Sequence, residues 1–258
     1  MPDILAKLIE DARKRVREGY YEVKTAPKHE PLSLKRAIKS AERNAIIAEV
    51  KPASPARGPL RAELDPVKAG TEMVRGGAIA ISVLTEPDNF SGSLESLRKV
   101  REHVSLPLLM KDVVVHEKQV EAAKRTGADC VLLIEPVFSK YPISSLARMI
   151  RYAHDLGLEV LLEVHREDEF RRALNSEADL VGLNNRNLTT LETNLETTTQ
   201  LIAKAERQVD KVFVSESGFE SAEDVRRVKP SGVDAFLIGS SIMLARDMER
   251  KVREFVLA

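Results

Sequence analysis

The sequence has 258 residues, 43% of them hydrophobic, which is enough to bury the core of one large domain or two small ones. Forty Lys and Arg residues balance forty Asp and Glu residues, so the chain lacks the basic excess that nucleic acids and anionic membranes select. No uninterrupted apolar run is long enough for a transmembrane helix or a signal peptide. The single cysteine, Cys130, excludes intramolecular disulfides and a cysteine metal cluster. We therefore expect a cytoplasmic enzyme with neither a nucleic-acid nor a membrane partner.

The first 44 residues are predicted to form a helical extension that precedes the first strand. One apolar stripe at helical spacing contains Ile4, Leu5, Leu8, Ile9, Ala12 and Val16. A second helix is predicted over Leu32–Ala45. The extension could cover one end of the fold that follows or decorate its outside, and the pattern alone leaves both open.

Eight short apolar runs follow, separated by longer segments with helical spacing. Several of the runs are continuous rather than alternating, which is typical of parallel strands covered on both faces. The runs are Ile46–Val50, Ala78–Leu84, Leu106–Met110, Cys130–Ile134, Leu158–Glu163, Leu180–Asn184, Val212–Ser215 and Ala235–Ile238. They predict an α/β protein.

Glycines mark the ends of four intervening helices. Gly77, Gly127, Gly157 and Gly232 each fall just before a predicted strand, where a helix terminus favours glycine. Eight strand–helix units predict a single (β/α)8 TIM barrel over residues 45–258, and a doubly wound open sheet is the alternative. No linker or low-complexity segment interrupts the sequence, so residues 1–258 are predicted to form one domain.

Ionisable residues occur where the predicted strands end. In the first strand, Ile47, Glu49 and Lys51 share one face, because side chains alternate along a strand. Burying such charges is costly unless they are paired or used in chemistry. Similar polar ends recur at Lys111, Asp112, Glu163, Asn184, Asn185, Arg186 and Glu216. Since barrel enzymes carry their chemistry at the carboxyl ends of the strands, the pattern predicts a convergent polar site.

Lysines beside carboxylates are typical of acid–base catalysis. We expect a neighbouring ammonium and partial burial to lower the pKa of a lysine here, while the carboxylates hold it in place. The three glutamates, two lysines and Arg186 would leave the site formally neutral. An anionic ligand would then depend largely on backbone donors.

Glycine–serine segments supply such donors at the last two strands. Glu216-Ser217-Gly218 and Gly239-Ser240-Ser241 close these strands, where barrels commonly bind phosphate through loop N–H groups and a short helix. The five histidines show no metal-ligand spacing, and no dinucleotide or Walker glycine motif is present. We therefore expect neither a metal nor a cofactor.

Taken together, these segments resemble the indole-3-glycerol phosphate synthase family. The resemblance runs through every strand end from about residue 44 to 245. It is carried by Glu49-Val-Lys51-Pro-Ala-Ser54-Pro55, Ser82-Val-Leu-Thr-Glu86, Phe90-Ser-Gly-Ser93, Leu109-Met-Lys111-Asp112, Val131-Leu-Leu-Ile134, Leu161-Leu-Glu163-Val164, Gly182-Leu-Asn184-Asn-Arg186-Asn-Leu188, Ser215-Glu-Ser-Gly218 and Phe236-Leu-Ile-Gly-Ser-Ser241. The extension resembles additional helices that lie against the mouth in that family.

The resemblance implies closure, decarboxylation and dehydration of 1-(2-carboxyphenylamino)-1-deoxyribulose 5-phosphate to indole-3-glycerol phosphate in tryptophan biosynthesis. It implies that Lys111 is the general acid, Glu163 the general base, and Lys51 an orienting group that could act as a second acid. Glu49, Asn184 and Glu216 would complete the catalytic set.

The resemblance also implies three groups of binding residues. Arg186 would lie near the substrate carboxylate. Phosphate would be held by Ser54, Gly218, Gly239 and Ser240, with Ser217 nearby. An apolar slot for the aromatic ring would be formed by Phe90, Leu132, Ile134 and Leu188. The sequence departs from the family at Val113, where an aromatic residue usually follows Lys111-Asp112.

Two other functions fit parts of the sequence. A phosphosugar isomerase would keep the last two strand ends but not Lys51, Lys111 and Glu163 together. A non-catalytic phosphate-binding barrel would lose at least one of those three. We expect a monomer that binds a small phosphorylated substrate, with a weak homo-oligomer as the alternative.

Overall fold

The computed structural model describes residues 4–24, 27, 29–61, 63–188, 190–205 and 211–258. Within these ranges, eight parallel strands close into a barrel. The strands are β1 (Ala45–Val50), β2 (Ala80–Leu84), β3 (Leu108–Lys111), β4 (Cys130–Ile134), β5 (Glu159–Val164), β6 (Leu180–Asn184), β7 (Val212–Glu216) and β8 (Ala235–Ile238). Closure comes from pairing of β1 with both β2 and β8, where Ala45 lies opposite Ala235. The predicted TIM barrel is confirmed, and the open sheet is excluded.

Helices precede β1 and connect the strands. Their bounds are α1 (Ile4–Arg17), α2 (Leu34–Lys39), α3 (Pro66–Arg75), α4 (Pro87–Phe90), α5 (Leu94–His103), α6 (Glu117–Thr126), α7 (Glu135–Lys140), α8 (Leu146–Asp155), α9 (Glu167–Leu174), α10 (Glu196–Ile202), α11 (Ala222–Val228), α12 (Ser240–Leu244) and α13 (Met248–Val256). A 3-10 turn spans Lys229–Ser231, and a hairpin after β1 pairs Ala53–Ser54 with Gly58–Pro59. The four glycines predicted before strands have left-handed φ values of 72° to 98°, as their positions require.

Two apolar layers follow from the alternation of side chains along each strand. On β1, Ile46, Ala48 and Val50 face the surrounding helices, whereas Ile47 belongs to the barrel interior. The predicted division of faces on β1 is therefore confirmed. Cys130 is a buried thiol of the interior layer. Glu49 continues the inward face of β1 beyond Ile47, which aims its carboxylate at the mouth of the barrel.

The two helices of the extension close opposite ends of the barrel. Leu8 of α1 packs in the interior apolar cluster and lines the cavity at the carboxyl ends of the strands. Ser33, which caps α2, donates its hydroxyl to Glu159 at the amino end of β5, and the Lys35 N–H donates to the same carboxylate at 2.9 Å. The expectation that both helices lie against the mouth is correct for α1 and wrong for α2.

The predicted helix over Leu32–Ala45 is shorter than expected. It begins after Ser33, whose hydroxyl accepts the Arg36 N–H, and it ends at Lys39. Ala45 is instead the first residue of β1, because its pairing with Ala235 closes the barrel.

Residues 1–3, 25, 26 and 28 of the extension lie outside the described part of the chain. In the part that is described, no helix has both the length and the apolar character needed to cross a membrane. The assignment of residues 1–258 to one domain stays a prediction. It is supported by the packing of both α1 and α2 against the interior cluster.

Candidate active site

A lysine held between two glutamates lies at the centre of the mouth. The Lys111 Nζ, at the end of β3, donates to Glu163 Oε2 at 2.9 Å and to Glu216 Oε2 at 3.1 Å. Asn184 Nδ2 donates to the other Glu163 oxygen at 2.9 Å. Because the three ionisable groups come from β3, β5 and β7, the closed barrel is what brings them together.

These contacts shift the pKa values of the three groups in different directions. Burial opposes the charge on Lys111, but Glu163 and Glu216 outweigh it and raise the lysine pKa. Burial also works against ionisation of Glu163, whose pKa is nevertheless lowered by Lys111 and by the Asn184 hydrogen bond. For Glu216, burial prevails over the attraction of Lys111 and raises the pKa to about 8. The expectation of a lowered lysine pKa is thus wrong for Lys111, because two carboxylates contact it directly.

A second lysine–glutamate pair lies on β1. Lys51 Nζ lies 3.1 Å from Glu49 Oε1, and the Ser82 hydroxyl donates to the other Glu49 oxygen at 3.4 Å. Lys51 Nζ also lies 5.9 Å from the centre of the Phe90 ring, within the range of a cation–π contact. The pair therefore joins the charged centre of the mouth to an aromatic wall.

Two adjoining cavities meet at these charged residues. The first is lined on its apolar side by Ile4, Leu8, Phe90, Leu132, Ile134 and Leu188. The second is lined by the glycine–serine ends of β7 and β8. Glu49, Lys51, Lys111 and Arg186 line both. The mouth therefore has an apolar chamber, a polar chamber and acid–base groups between them.

Backbone conformation prepares the polar chamber. Ser217 and Gly218 both have left-handed φ, 69° and 93°, and such backbone is uncommon for a serine. The Ser217 carbonyl accepts a hydrogen bond from Asn185 Nδ2 at 3.0 Å. Asn185 is fully buried and also contacts Ser215 and Thr198, which holds the turn in place. Strained backbone of this kind is characteristic of ligand-binding turns.

Two glycines make room for the carboxylates. A Cβ at Gly182 would lie 2.1 Å from Glu216 Oε1, and a Cβ at Gly239 would lie 2.5 Å from Glu49 Oε1. Both distances are far below van der Waals contact. An alanine at either position would therefore displace a carboxylate of the mouth.

Cations flank the polar chamber. Arg57, in the loop after β1, lines it together with Arg186. Burial, and secondly the nearby Arg57, lower the pKa of Arg186. The raised pKa of Glu216 favours its neutral form, which removes one negative charge from the formal balance of the mouth. The formal neutrality expected from the sequence therefore holds only while Glu216 is ionised.

Comparison with known proteins identifies a single enzyme family for this chain. The model of the indole-3-glycerol phosphate synthase family matches residues 4–255. The indole-3-glycerol phosphate synthase of Acetivibrio thermocellus is 40% identical over 250 residues, covering 96% of this chain and 94% of that protein. The corresponding protein of Aquifex aeolicus is 43% identical over 211 residues, covering 82% and 80%. The chain belongs to the indole-3-glycerol phosphate synthase family.

Solved structures of lower identity share the fold alone. Thiamine phosphate pyrophosphorylase from Pyrococcus furiosus superposes with a TM-score of 0.62 at 18% identity, over 86% of this chain and 96% of that one. The N-acetylmannosamine-6-phosphate 2-epimerase from Clostridium perfringens gives 0.61 at 13% identity, over 84% and 93%.

All sixteen residues that the sequence suggested for the site lie at the mouth. The apolar chamber alone is lined by Glu163, Asn184, Ser54, Phe90, Leu132, Ile134 and Leu188. The polar chamber alone is lined by Glu216, Gly218 and Gly239. Both chambers are lined by Lys111, Lys51, Glu49, Arg186, Ser217 and Ser240. The structure brings the set together, while the role of each residue in this member of the family is a separate question.

Several residues that line the mouth do not lie at a strand end, so the pattern of polar strand ends did not predict them. Arg57 lies in a loop, and Ile4 and Leu8 belong to a helix far from the strands in sequence. Gly182 lies inside β6, and the sequence distinguishes it only as a glycine within an apolar run. Val113, at the position usually aromatic in this family, is buried and lines the apolar chamber. Within the described ranges, no cluster of His, Cys, Asp and Glu side chains is arranged to hold a metal ion.

Proposed function

We propose that the mouth converts 1-(2-carboxyphenylamino)-1-deoxyribulose 5-phosphate to indole-3-glycerol phosphate with Lys111 as general acid and Glu163 as general base. The observation that carries this assignment is the position of Lys111, which contacts both glutamates where an apolar and a polar chamber meet. A substrate with an aromatic ring at one end and a phosphate at the other fits these two chambers. Its reacting ketone would then lie beside the lysine.

The polar chamber would take the phosphate. Gly218 and Gly239 allow backbone N–H groups to approach phosphate oxygens, while Ser240 adds a hydroxyl donor and Ser217 lies beside it. Ser54 lines the adjoining apolar chamber and would reach the phosphate only from there. Arg57 lines the same chamber, where its guanidinium is paired with the Glu220 carboxylate. The phosphate would thus anchor one end of the substrate without taking part in the chemistry.

The apolar chamber would take the anthranilate ring. Phe90, Leu132, Ile134 and Leu188 offer flat or branched surfaces around it. Arg186 lines both chambers and would face the ring carboxylate. An apolar, partly dehydrated chamber assists loss of carbon dioxide because it solvates the carboxylate poorly and the neutral product well.

Ring closure requires a proton at the ketone oxygen while the aromatic carbon attacks the carbonyl carbon. The carboxylates that contact Lys111 raise its pKa, which keeps its proton in place but makes it a weak acid before substrate arrives. A ketone oxygen that replaced one carboxylate beside Nζ would weaken this restraint. Lys111 would then give its proton to the developing alkoxide, and decarboxylation would restore the aromatic system.

Dehydration requires removal of a ring proton and departure of the hydroxyl group as water. Glu163 has a lowered pKa and is ionised at neutral pH, so it can accept that proton. Lys51, held by Glu49, would orient the substrate and could protonate the departing hydroxyl. Glu216, with its raised pKa, and Asn184 would position Lys111 and Glu163 through the hydrogen bonds described above.

The direct test is to incubate the purified chain with the carboxyphenylamino sugar phosphate and to follow indole fluorescence. We expect a rise in fluorescence at a rate proportional to protein concentration, with inhibition by inorganic phosphate. Absence of product at saturating substrate, from a preparation with a folded circular dichroism spectrum, would refute the proposal.

We also propose that the chain acts in the cytoplasm as a monomer. Cys130, its one cysteine, is a buried thiol, which suits a reducing compartment. On the described surface, the exposed large hydrophobic residues are Leu244 and Leu257. Sedimentation velocity across a range of concentrations would reveal a homo-oligomer.

A further inference from the structure

Arg15 of α1 is a buried cation at the edge of the mouth. It is only 4% exposed, and its Nη1 donates to Glu86 Oε1 at 2.6 Å and to the Asp88 carboxylate. Its Nη2 lies 3.8 Å from Asp112 Oδ1, and its Nε donates to the Tyr21 hydroxyl at 3.3 Å. One guanidinium therefore contacts carboxylates from the loops after two different strands, β2 and β3.

The first of these contacts leads to Phe90. The Glu86 carboxylate accepts the backbone N–H groups of Asp88, Asn89 and Phe90 at 2.7 to 3.1 Å, so it caps α4. Phe90 is the last residue of that helix and lines the apolar chamber. Because Glu86 is fully buried, its charge needs both this cap and the guanidinium. Arg15 thereby fixes the position of the aromatic wall.

The second contact leads to Lys111. Asp112 follows the lysine directly and accepts the Thr85 hydroxyl at 2.7 Å and the Tyr21 hydroxyl at 3.1 Å. The Thr85 N–H in turn donates to the Lys111 carbonyl at 3.0 Å. Burial raises the pKa of Asp112, while Arg15 opposes the shift and favours the ionised carboxylate. Loss of the guanidinium would remove the cation that lies beside the buried Asp112 carboxylate.

Arg101 provides a comparison at the other end of the barrel. It is similarly buried, pairs with Asp129 at 3.0 Å, and donates to the carbonyls of Val104 and Leu106. None of these partners lines either chamber of the mouth. Both arginines stabilise the fold, but only Arg15 contacts the loops that carry residues of the site.

We infer that Arg15 is a positioning residue, which holds α1 on the mouth and fixes Phe90 and the Lys111 strand end for the aromatic half of the substrate. The inference rests on the proposed function, since it assumes that the apolar chamber takes the ring. It assigns Arg15 no contact with substrate. The phosphate half, bound at the ends of β7 and β8, lies outside its reach.

The test compares Arg15→Met with Arg101→Met at a temperature where both retain the folded circular dichroism spectrum. For Arg15→Met we expect KM for the sugar phosphate and the inhibition constant of 2-aminobenzoate to rise at least tenfold. The inhibition constant of inorganic phosphate should stay within twofold of the parent value. Arg101→Met should leave all three constants within twofold, although it lowers Tm. Arg15→Lys keeps the positive charge but lacks the planar guanidinium with its several N–H donors. Its KM for the sugar phosphate and its inhibition constant for 2-aminobenzoate should lie between those of Arg15→Met and the parent.

Unchanged aromatic affinity in Arg15→Met, or an equal loss of phosphate affinity, would overturn the inference. Hydrogen exchange gives a readout that does not depend on turnover. The amides of Asp88, Asn89 and Phe90 should exchange at least tenfold faster in Arg15→Met than in Arg101→Met, and equal protection would also count against it. If the parent chain fails to turn over the sugar phosphate while these amides respond as expected, the proposed reaction fails and the link from Arg15 to α4 stands.

Discussion

The two ends of the barrel hold their carboxylates in different ways. At the mouth, Glu49, Glu163 and Glu216 face lysines whose ammonium groups are open to a cavity. At the amino ends of the strands, acids instead accept backbone N–H groups of neighbouring strands. Asp129 accepts from Leu108, Asp179 from Val160 and Asp234 from Phe213. Carboxylates therefore contact lysines of the candidate site at one end and fix the register of neighbouring strands at the other.

The carboxylates at the two ends differ in whether their oxygen atoms already have hydrogen-bond partners. A carboxylate that accepts a backbone N–H of a neighbouring strand stabilises the fold, so its loss should lower the free energy of unfolding. One Glu216 oxygen, by contrast, is buried with no hydrogen-bond partner among the described residues. A group left unsatisfied in a buried site is characteristic of function rather than stability. Substitutions at the two ends should consequently affect different measurements.

The largest effect is expected for Lys111→Ala. Without the proton donor, kcat should fall by about 10⁴-fold or more, which is the upper range for a general acid. Substrate binding should remain measurable by isothermal titration, because the two chambers persist. Single-turnover fluorescence would supply the rate, and near-normal turnover would contradict the assignment of Lys111.

Glu163→Gln should have the next largest effect. The amide can still accept a hydrogen bond from Lys111 but cannot take a proton, so kcat should fall by roughly 10²- to 10³-fold. The inhibition constant of inorganic phosphate should change little, since Glu163 does not line the polar chamber. A large loss of phosphate affinity with an unaltered rate would contradict its role as base.

At the opposite end, Asp129→Asn should reduce stability without changing kcat. Asp129 contacts Arg101, His29, Leu108 and Leu32, and its loss of charge leaves the buried Arg101 unpaired. Unfolding free energy from urea titration should drop by about 3 kcal/mol, a cost typical of breaking a buried pair.

Asp179→Asn is the matched control for that change. Asp179 accepts the Val160 N–H in the same way, but it is partly exposed and pairs with His154 near the surface. It should cost about 1 kcal/mol or less. Equal losses from the two variants, or a fall in kcat for either, would argue against a division of labour between the ends.

Glu216→Gln should change the pH dependence of stability. The folded pKa of Glu216, about 8, lies above its ordinary value in an unfolded chain. Its neutral form stabilises the fold at low pH, and this contribution is lost as pH rises toward and through 8. The glutamine variant lacks that loss, so its stability relative to the parent should increase between pH 5 and 9.

Glu163→Gln should change the pH dependence of stability in the opposite direction. The pKa of Glu163 is lowered in the fold, so its ionised form stabilises the parent above its unfolded pKa and that advantage disappears on acidification. Denaturant midpoints measured at several pH values should therefore diverge in opposite directions for the two variants. Parallel pH profiles of the two variants would show that the pKa values of Glu163 and Glu216 are not shifted in opposite directions.

The strands and the charged residues at their ends could be predicted because they follow local rules. An apolar run that ends in Lys111 or Glu163 is visible in the sequence, and the (β/α)8 fold dictates that such ends converge. The pKa of Lys111 could not be predicted, because it depends on distances between strands that are separated by about fifty residues or more. The contact of Arg15 with Glu86 was likewise hidden, since neither residue belongs to a strand.

The N-terminal extension also has contacts between distant residues that the sequence pattern could not predict. Its apolar stripe predicts a helix but not the surface that the helix covers, which is why α1 and α2 could be assigned to one end by resemblance and yet lie at two. The contacts that decide the matter, Arg15 with Glu86 and Ser33 with Glu159, join residues 71 and 126 positions apart. Only the closed barrel brings them within reach.

The placement of α1 and α2 also sets an order of assembly. Both helices leave the ribosome before any strand, yet the surfaces that receive them require Asp112, Asp129 and Glu159 to be in place. The earliest part of the chain to be synthesised must therefore wait for the later part, and its apolar stripe remains uncovered in the meantime. A nascent chain that stalls before residue 235 would present that stripe to chaperones, because β8 begins at Ala235 and its pairing with β1 closes the barrel. A chain that passes β8 can cover both ends of its own barrel.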